Sequence, residues 1–212
     1  MADLTAERAL IFRIVHRDNV EWILDNGLHC KKAHVSDPNY VAIGNLELID
    51  RRTNHPVPCH PNGTLGDYVP FYFTPFSPMM LNIKTGYGGI RKRANEEIVV
   101  LVSSLHKLNE AGLPIVFTDR HAYLQAARFY TDMQRLNEID WAILRAKDFK
   151  RNAEDPGKFE RYQAEALVHR SLPCAGLLGI ACYNEAVMAS VKRQTERRGL
   201  NMRVIAQRKY YF

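Results

Sequence analysis

The residues whose types suit them to chemistry are His16, the adjacent Arg51 and Arg52, and the triplet Gln163-Ala164-Glu165. A carboxylate held in a cleft beside an arginine can orient a sugar hydroxyl and stabilise positive charge developing next to it. A guanidinium fork matches a pyrophosphate. In a strand, residues two apart face the same way, so Gln163 and Glu165 are expected to project together. Each residue also has a plain structural reading: His16 as a hydrogen-bonded strand end, Arg51 as a surface residue, Glu165 as half of a salt bridge. Taken alone they do not decide between the two.

Other chemistries find less support. The chain contains no GxxxxGK[ST] loop, no GxGxxG between a strand and a helix, and no GxSxG elbow. Gly86-Tyr87-Gly88-Gly89 reads as a flexible loop. His29-Cys30 with His34, and His55 with Cys59-His60, bring soft ligands close together, but neither follows an established zinc spacing, so no metal is expected. The four cysteines (Cys30, Cys59, Cys174 and Cys182) form no CxxC pair and fit reduced thiols better than a disulfide framework.

The elements that must position these side chains follow from the apolar pattern. A strand is expected over 11–16, ending at His16. A helix follows, with Asp18 as N-cap and Gly27 as stop. Residues 30–68, holding Pro38, Pro56, Pro58 and Pro61, read as loop. Strands are expected over 69–73, in the apolar run 96–104, at 114–119, at 164–169 and at 176–184. Residues 120–130 read as partly helical. Residues 185–199 form a helix that starts with an acid, ends in bases and stops at Gly199, and 202–212 close as a strand. Strands outnumber helices without regular βαβ alternation, which argues for an α+β fold. The 212 residues show no repeat and no linker, so a single domain over 1–212 is expected. No window approaches the ~18 continuous apolar residues of a membrane span. The acidic start of the chain lacks a signal-peptide layout, which points to the cytoplasm.

Net charge is +6, and its placement is uneven. From Arg145 to the end there are 14 Lys/Arg against 7 Asp/Glu, whereas the rest holds 15 against 16. A polyanion or a phosphate-bearing cofactor would be drawn to the last third.

Five segments, in order, carry a family likeness: IFRIVHRDNVEWILDNGL (11–28), IGNLELIDRRTNHPVP (43–58), GTLGDYVPFYFTPFSPMM (63–80), IVFTDRHAY (115–123) and YQAEALVHRSLP (162–173). Together they resemble DarT, the DNA ADP-ribosyltransferase toxins of bacterial toxin–antitoxin pairs. The resemblance implies an ADP-ribosyltransferase-like fold, with two packed β-sheets forming an NAD cleft and flanking helices. It implies NAD as co-substrate and transfer of ADP-ribose to a base of single-stranded DNA, thymidine rather than guanosine. By the same likeness Glu165 is the catalytic glutamate and Arg51 the essential arginine, with its neighbour Arg52 a second candidate. His16, Arg51, Gly44 and Tyr72 would contact NAD. His121 would face the substrate, and Arg52, Lys150, Arg151 and Arg161 would serve DNA. Tyr72, Tyr123 and Tyr130 are candidates for base stacking. A macrodomain antitoxin partner and a monomeric bacterial cytoplasmic enzyme are also implied. The rival readings are transfer to guanosine or another acceptor, and a non-catalytic module that binds single-stranded nucleic acid.

Overall fold

The computed structural model describes residues 4–212. In chain order its elements are β1 (Leu10–His16), α1 (Val20–Asn26), β2 (Leu28–His29), α2 (Leu46–Thr53), β3 (Tyr68–Tyr72), α3 (Pro78–Thr85), β4 (Ile98–Ser104), α4 (Leu105–Glu110), β5 (Ile115–Thr118), β6 (Phe129–Tyr130), α5 (Trp141–Ala146), α6 (Lys158–Arg161), β7 (Glu165–His169), β8 (Ser171–Leu172), β9 (Gly179–Cys182), α7 (Glu185–Arg197) and β10 (Arg203–Ala206). Eight strands form one ladder in the order β10-β9-β4-β1-β3-β7-β5-β6, and β2 pairs with β8.

That ladder is weakly joined in its middle. β1 and β4 pair over seven residues, from Leu10↔Ser104 to His16↔Ile98, and β3 pairs with β7 over five. Between β1 and β3 there is a single register pair, Phe12↔Tyr72. Pro70 supplies the reason. It has no N–H to donate, and its carbonyl accepts instead from the Arg13 side chain, Nη1 to O 2.7 Å. A guanidinium thus stands where backbone pairing would continue. The expected pair of sheets corresponds to two four-stranded halves of this one ladder, joined narrowly at Phe12 and Tyr72.

The core lies on both faces of the halves, so a strand such as β4 (IVVLVSS) is buried along nearly its whole length and apolar over its first five residues. A second cluster, of Val57, Leu65, Tyr68, Val116, Ala122 and Leu167, matters more for position. It ties the chain after α2, the turn after β5 and the middle of β7 to one another. α7 buries Val187, Val191 and Thr195 at helical spacing and is capped by the Asn184 side chain, which accepts from the Val187 N–H at 3.0 Å.

Four local expectations need correction. The closing strand expected over 202–212 is confined to β10, and Arg208–Tyr210 form a 3₁₀ turn. The stretch read as loop from 30 to 68 contains α2; the Asn45 side chain caps it by accepting from the Leu48 N–H at 3.0 Å. Residues 120–130 are turns leading into the short β6 rather than helix. Residues 17–19 form a 3₁₀ turn before α1, and Asp18 is not its N-cap; the backbone N–H of Asp18 donates to Nδ1 of His16 at 3.3 Å. Gly27 does end α1, at φ +79°, where a Cβ would stand 2.6 Å from the Leu172 carbonyl. No helix among the described residues is long and apolar enough to cross a membrane.

Candidate active site

Glu165 is the first residue of β7, and its side chain is fully buried. Ionised carboxylates survive such burial only when both oxygens are engaged. Here Oε2 accepts from Arg52 Nη2 at 2.5 Å, and Oε1 accepts from the Ala122 backbone N–H at 3.0 Å. His121 Nε2 lies 3.9 Å from Oε1. The Glu165 N–H donates to Thr118 Oγ1 at 3.2 Å, and that hydroxyl donates to the Arg120 carbonyl at 2.6 Å. Three chain segments, α2, the turn after β5 and the start of β7, are thereby fastened at one carboxylate.

Burial alone would raise the Glu165 carboxyl. The Arg52 charge, the neighbouring His121 and the bonds from Arg52 and Ala122 outweigh it and hold the group below its ordinary 4.5. For Arg52, burial pulls downward, but the Glu165 charge and hydrogen bond prevail and the guanidinium stays protonated. The pair is ionised. Because the folded value is depressed, its stabilisation is complete above about pH 4.5 and is lost as pH falls through the folded value.

The helix decides between the two arginines. Successive residues of α2 point about 100° apart, so only one of an adjacent pair can face the sheet. Ile49, Arg52 and Thr53 form the half-buried face. Arg51 is exposed and paired with Glu47 one turn back at 2.5 Å. Arg52, not Arg51, is therefore the arginine at the carboxylate. Gln163 is also misplaced by the strand reading. It precedes β7, and its amide donates to the Phe159 carbonyl at 3.1 Å, away from Glu165.

Around this pair stand further groups. Tyr72 is in register with Glu165 across β3 and β7, and its hydroxyl lies 3.8 Å from Met79 Sδ. Burial, with the Glu165 charge beside it, pushes the phenol up to about 12, so it remains an O–H donor. A Cβ on Gly44 would meet Ile49 Cδ1 and Met79 Cε at 3.3 Å each, which places Gly44 on the same wall as Met79 and Tyr72. His16 is elsewhere. It ends β1, four residues from the Phe12 that faces Tyr72, or about 13 Å along the strand. Its Nε2 lies 3.5 Å from Glu97 Oε1.

The basic residues assigned to DNA separate on inspection. Arg161 is held by Asp140 (3.1 Å) and by both oxygens of Asp155 (3.0 and 2.6 Å), so it braces a loop and is not a free cation. Lys150 and Arg151 are exposed, and Arg151 lies over the Phe159 ring at 4.7 Å. Of the stacking candidates, Tyr123 packs beside His55 (5.1 Å between ring centres) and Tyr130 beside Phe117 (5.5 Å), both half-buried. Thr118, the Ala122 N–H and Met79 went unread in the sequence, because their roles depend on backbone geometry that residue type does not signal. Among the described residues no three His, Cys, Asp or Glu side chains converge as a metal site would require.

His121 offers a direct check of this electrostatic picture. Its Nδ1 accepts from the Tyr123 N–H at 3.3 Å, so the proton of the neutral ring sits on Nε2, facing Glu165. Burial lowers its affinity for a second proton; Arg52 and His55 add to this, and Glu165 opposes it without prevailing. In imidazole NMR, His121 (identified by its loss in His121→Asn) should titrate below the ordinary 6.5. The unfolded chain binds that proton more readily, so this contribution to stability is complete above about 6.5 and declines as pH falls from there. A midpoint above 6.5 would mean that the Glu165 charge dominates the ring instead.

Comparison with known proteins then places the chain. A family model described as "ssDNA thymidine ADP-ribosyltransferase, DarT" matches residues 12–212. A DNA ADP-ribosyl transferase of Escherichia coli O127:H6 is 53% identical over 211 residues, covering 100% of this chain and 97% of that protein. Another, from Thermus sp. 2.9, is 39% identical over 180 residues (84% and 82% covered). Among solved structures, Thermus sp. 2.9 DarT in complex with ADP-ribosylated ssDNA superposes with a TM-score of 0.89 at 34% identity over 97% of both chains. The same protein in complex with NAD+ gives 0.84 at 35% identity, with 97% and 98% covered.

Proposed function

The chain belongs to the DarT family of NAD-dependent single-stranded-DNA ADP-ribosyltransferases, and we propose that Glu165, Arg52 and His121 carry the transfer of ADP-ribose from NAD to a thymidine base. The observation that supports this most strongly is the fully buried, ionised Glu165 fastened to Arg52 where the two sheet halves part.

The residues present fit NAD. Arg52 has five N–H donors, of which one is committed to Glu165 among the described residues, leaving others for the dinucleotide. Gly44, Met79 and Tyr72 provide a close wall, and His16 stands far enough along β1 for an extended dinucleotide to reach both. When bound, NAD supplies an ADP-ribosyl group whose bond to nicotinamide breaks with positive charge developing on the ribose. The Glu165 carboxylate is fixed in advance to stabilise that charge, so no reorganisation is needed at the moment of reaction. Either of its oxygens can then accept the proton that the attacking base nitrogen loses. Arg52 keeps the carboxylate ionised for this purpose, and the His121 Nε2–H is a donor that can orient the acceptor base. A nitrogen used in pairing is blocked in a duplex, which fits a single-stranded substrate.

The reading extends to a toxin held in check by a macrodomain antitoxin, acting as a cytoplasmic monomer and one catalytic unit over residues 1–212. These points rest on the family resemblance and on the absence of any composition break.

The test is incubation with labelled NAD and four single-stranded oligonucleotides, each lacking one base, beside a duplex control. Label should reach every strand except the one without thymine and should spare the duplex. Loss of label only without guanine would move the acceptor to guanosine, and no label on any strand would overturn the assignment.

A further inference from the structure

A groove of about 710 Å³ between α3 and residues 149–159 lies outside the site described above. Leu81, Thr85, Tyr87, Phe149, Arg151 and Phe159 line it. Both walls run to the catalytic end. α3 carries Met79, which meets the Tyr72 hydroxyl, and α6 carries Glu160, whose carbonyl accepts from the His121 N–H at 3.1 Å. The eight residues of α3, rising 1.5 Å each, lead about 12 Å outward from that end.

The lining is suited to a single strand of nucleic acid. Tyr87 is 74% exposed, the highest of the large hydrophobic residues described. Gly88 and Gly89 after it adopt left-handed backbone (φ +69° and +76°) with open space beside them, so the ring is presented and not packed. Across the groove, the Arg151 guanidinium lies over Phe159 at 4.7 Å and offers a second flat face. Lys84, Arg91, Lys92, Lys150 and Arg151 make no salt bridge among the described residues. The acids of the 147–158 segment are otherwise engaged: Asp148 with Lys158 at 2.7 Å, and Asp155 with Arg161 at 2.6 Å. Exposed Glu154 is the one acid there without such a partner. Free cations beside exposed aromatic faces complement a phosphate backbone with unstacked bases.

We propose that this groove receives the nucleotides flanking the target base, one stacking on Tyr87 and another on the Arg151–Phe159 face, with phosphates drawn to Arg151, to its neighbour Lys150 and to Lys92 beside Gly86. The inference rests on DNA being the acceptor.

The experiment measures transfer to a long oligonucleotide with a central thymidine and to one cut back to that thymidine and its immediate neighbours. Tyr87→Ala should raise KM for the long strand on the order of 5- to 150-fold and leave the truncated strand nearly unchanged. KM for NAD, kcat at saturating DNA and Tm should stay as in wild type, and Tyr87→Phe should retain affinity. Lys150→Ala and Arg151→Ala should each flatten the dependence of log KM on log salt by about 0.7. Unchanged KM on the long strand in Tyr87→Ala and in Lys150→Ala/Arg151→Ala, or equal losses on long and short strands, would overturn the groove assignment while transfer to DNA stood. A wild-type protein inert on every single strand would remove the DNA reading itself and this inference with it.

Discussion

Glu165→Gln is expected to lower ADP-ribosyl transfer on the order of 10²- to 10³-fold while single-stranded DNA is still bound. The amide keeps the shape of the side chain, but its single oxygen can accept from Arg52 or from the Ala122 N–H and not from both, its NH2 faces the other donor, and the negative charge opposite the developing cation is lost. The substitution also leaves the Arg52 guanidinium buried without a counterion, an arrangement that costs about 3 kcal/mol when one partner of a buried pair is removed. Stability must therefore be followed beside activity, by urea unfolding, with transfer assayed where the variant is folded. Glu165→Asp separates the two effects: it keeps the charge, and so most of the stability, but draws the oxygens back from the acceptor. A Glu165→Gln protein that transfers at the wild-type rate would show that the carboxylate is only half of a structural pair.

Arg52→Ala is expected to reduce transfer by about 10²-fold or more, whereas Arg51→Ala should stay close to wild type. Arg51 lies on the outer face of α2 in an exposed pair with Glu47, an arrangement worth ~0.3–0.5 kcal/mol. Without Arg52, the burial that the guanidinium now outweighs would dominate Glu165 and raise its carboxyl. The variant's residual activity should therefore climb with rising pH across a range where wild type is flat, because an ionised carboxylate is recovered only at higher pH. Arg52→Lys should restore part of the rate by returning the charge without the fork. Inactivity of Arg51→Ala alongside a tolerant Arg52→Ala would reverse the assignment that the helix geometry makes.

Much of the frame was legible because it depends on periodicity. The run IVVLVSS can only be a buried strand, and EAVMASVKRQTERRG carries its own start, apolar stripe and stop; both stand where the pattern put them. The helix α2 was equally written in the chain, with Asn45 as cap and Ile49, Arg52 and Thr53 on one face, but four nearby prolines made the region read as loop. Once that helix is missed, nothing distinguishes Arg51 from Arg52. The turn at 120–130 could not be read at all. Its conformation is held by contacts with Glu165 and Glu160, both distant in sequence.

By itself, then, the sequence determined which residue types were available, where the longer strands β1, β3, β4, β5, β7 and β9 and the last helix run, and, through five ordered segments, the family. Only the tertiary structure decided which arginine meets the glutamate, that Gln163 turns away, and that Arg161 is already engaged. The reason is physical. Periodicity and propensity act between near neighbours along the chain, whereas the ionisation of a buried carboxylate depends on charges and donors brought to it from 43 and 113 residues away.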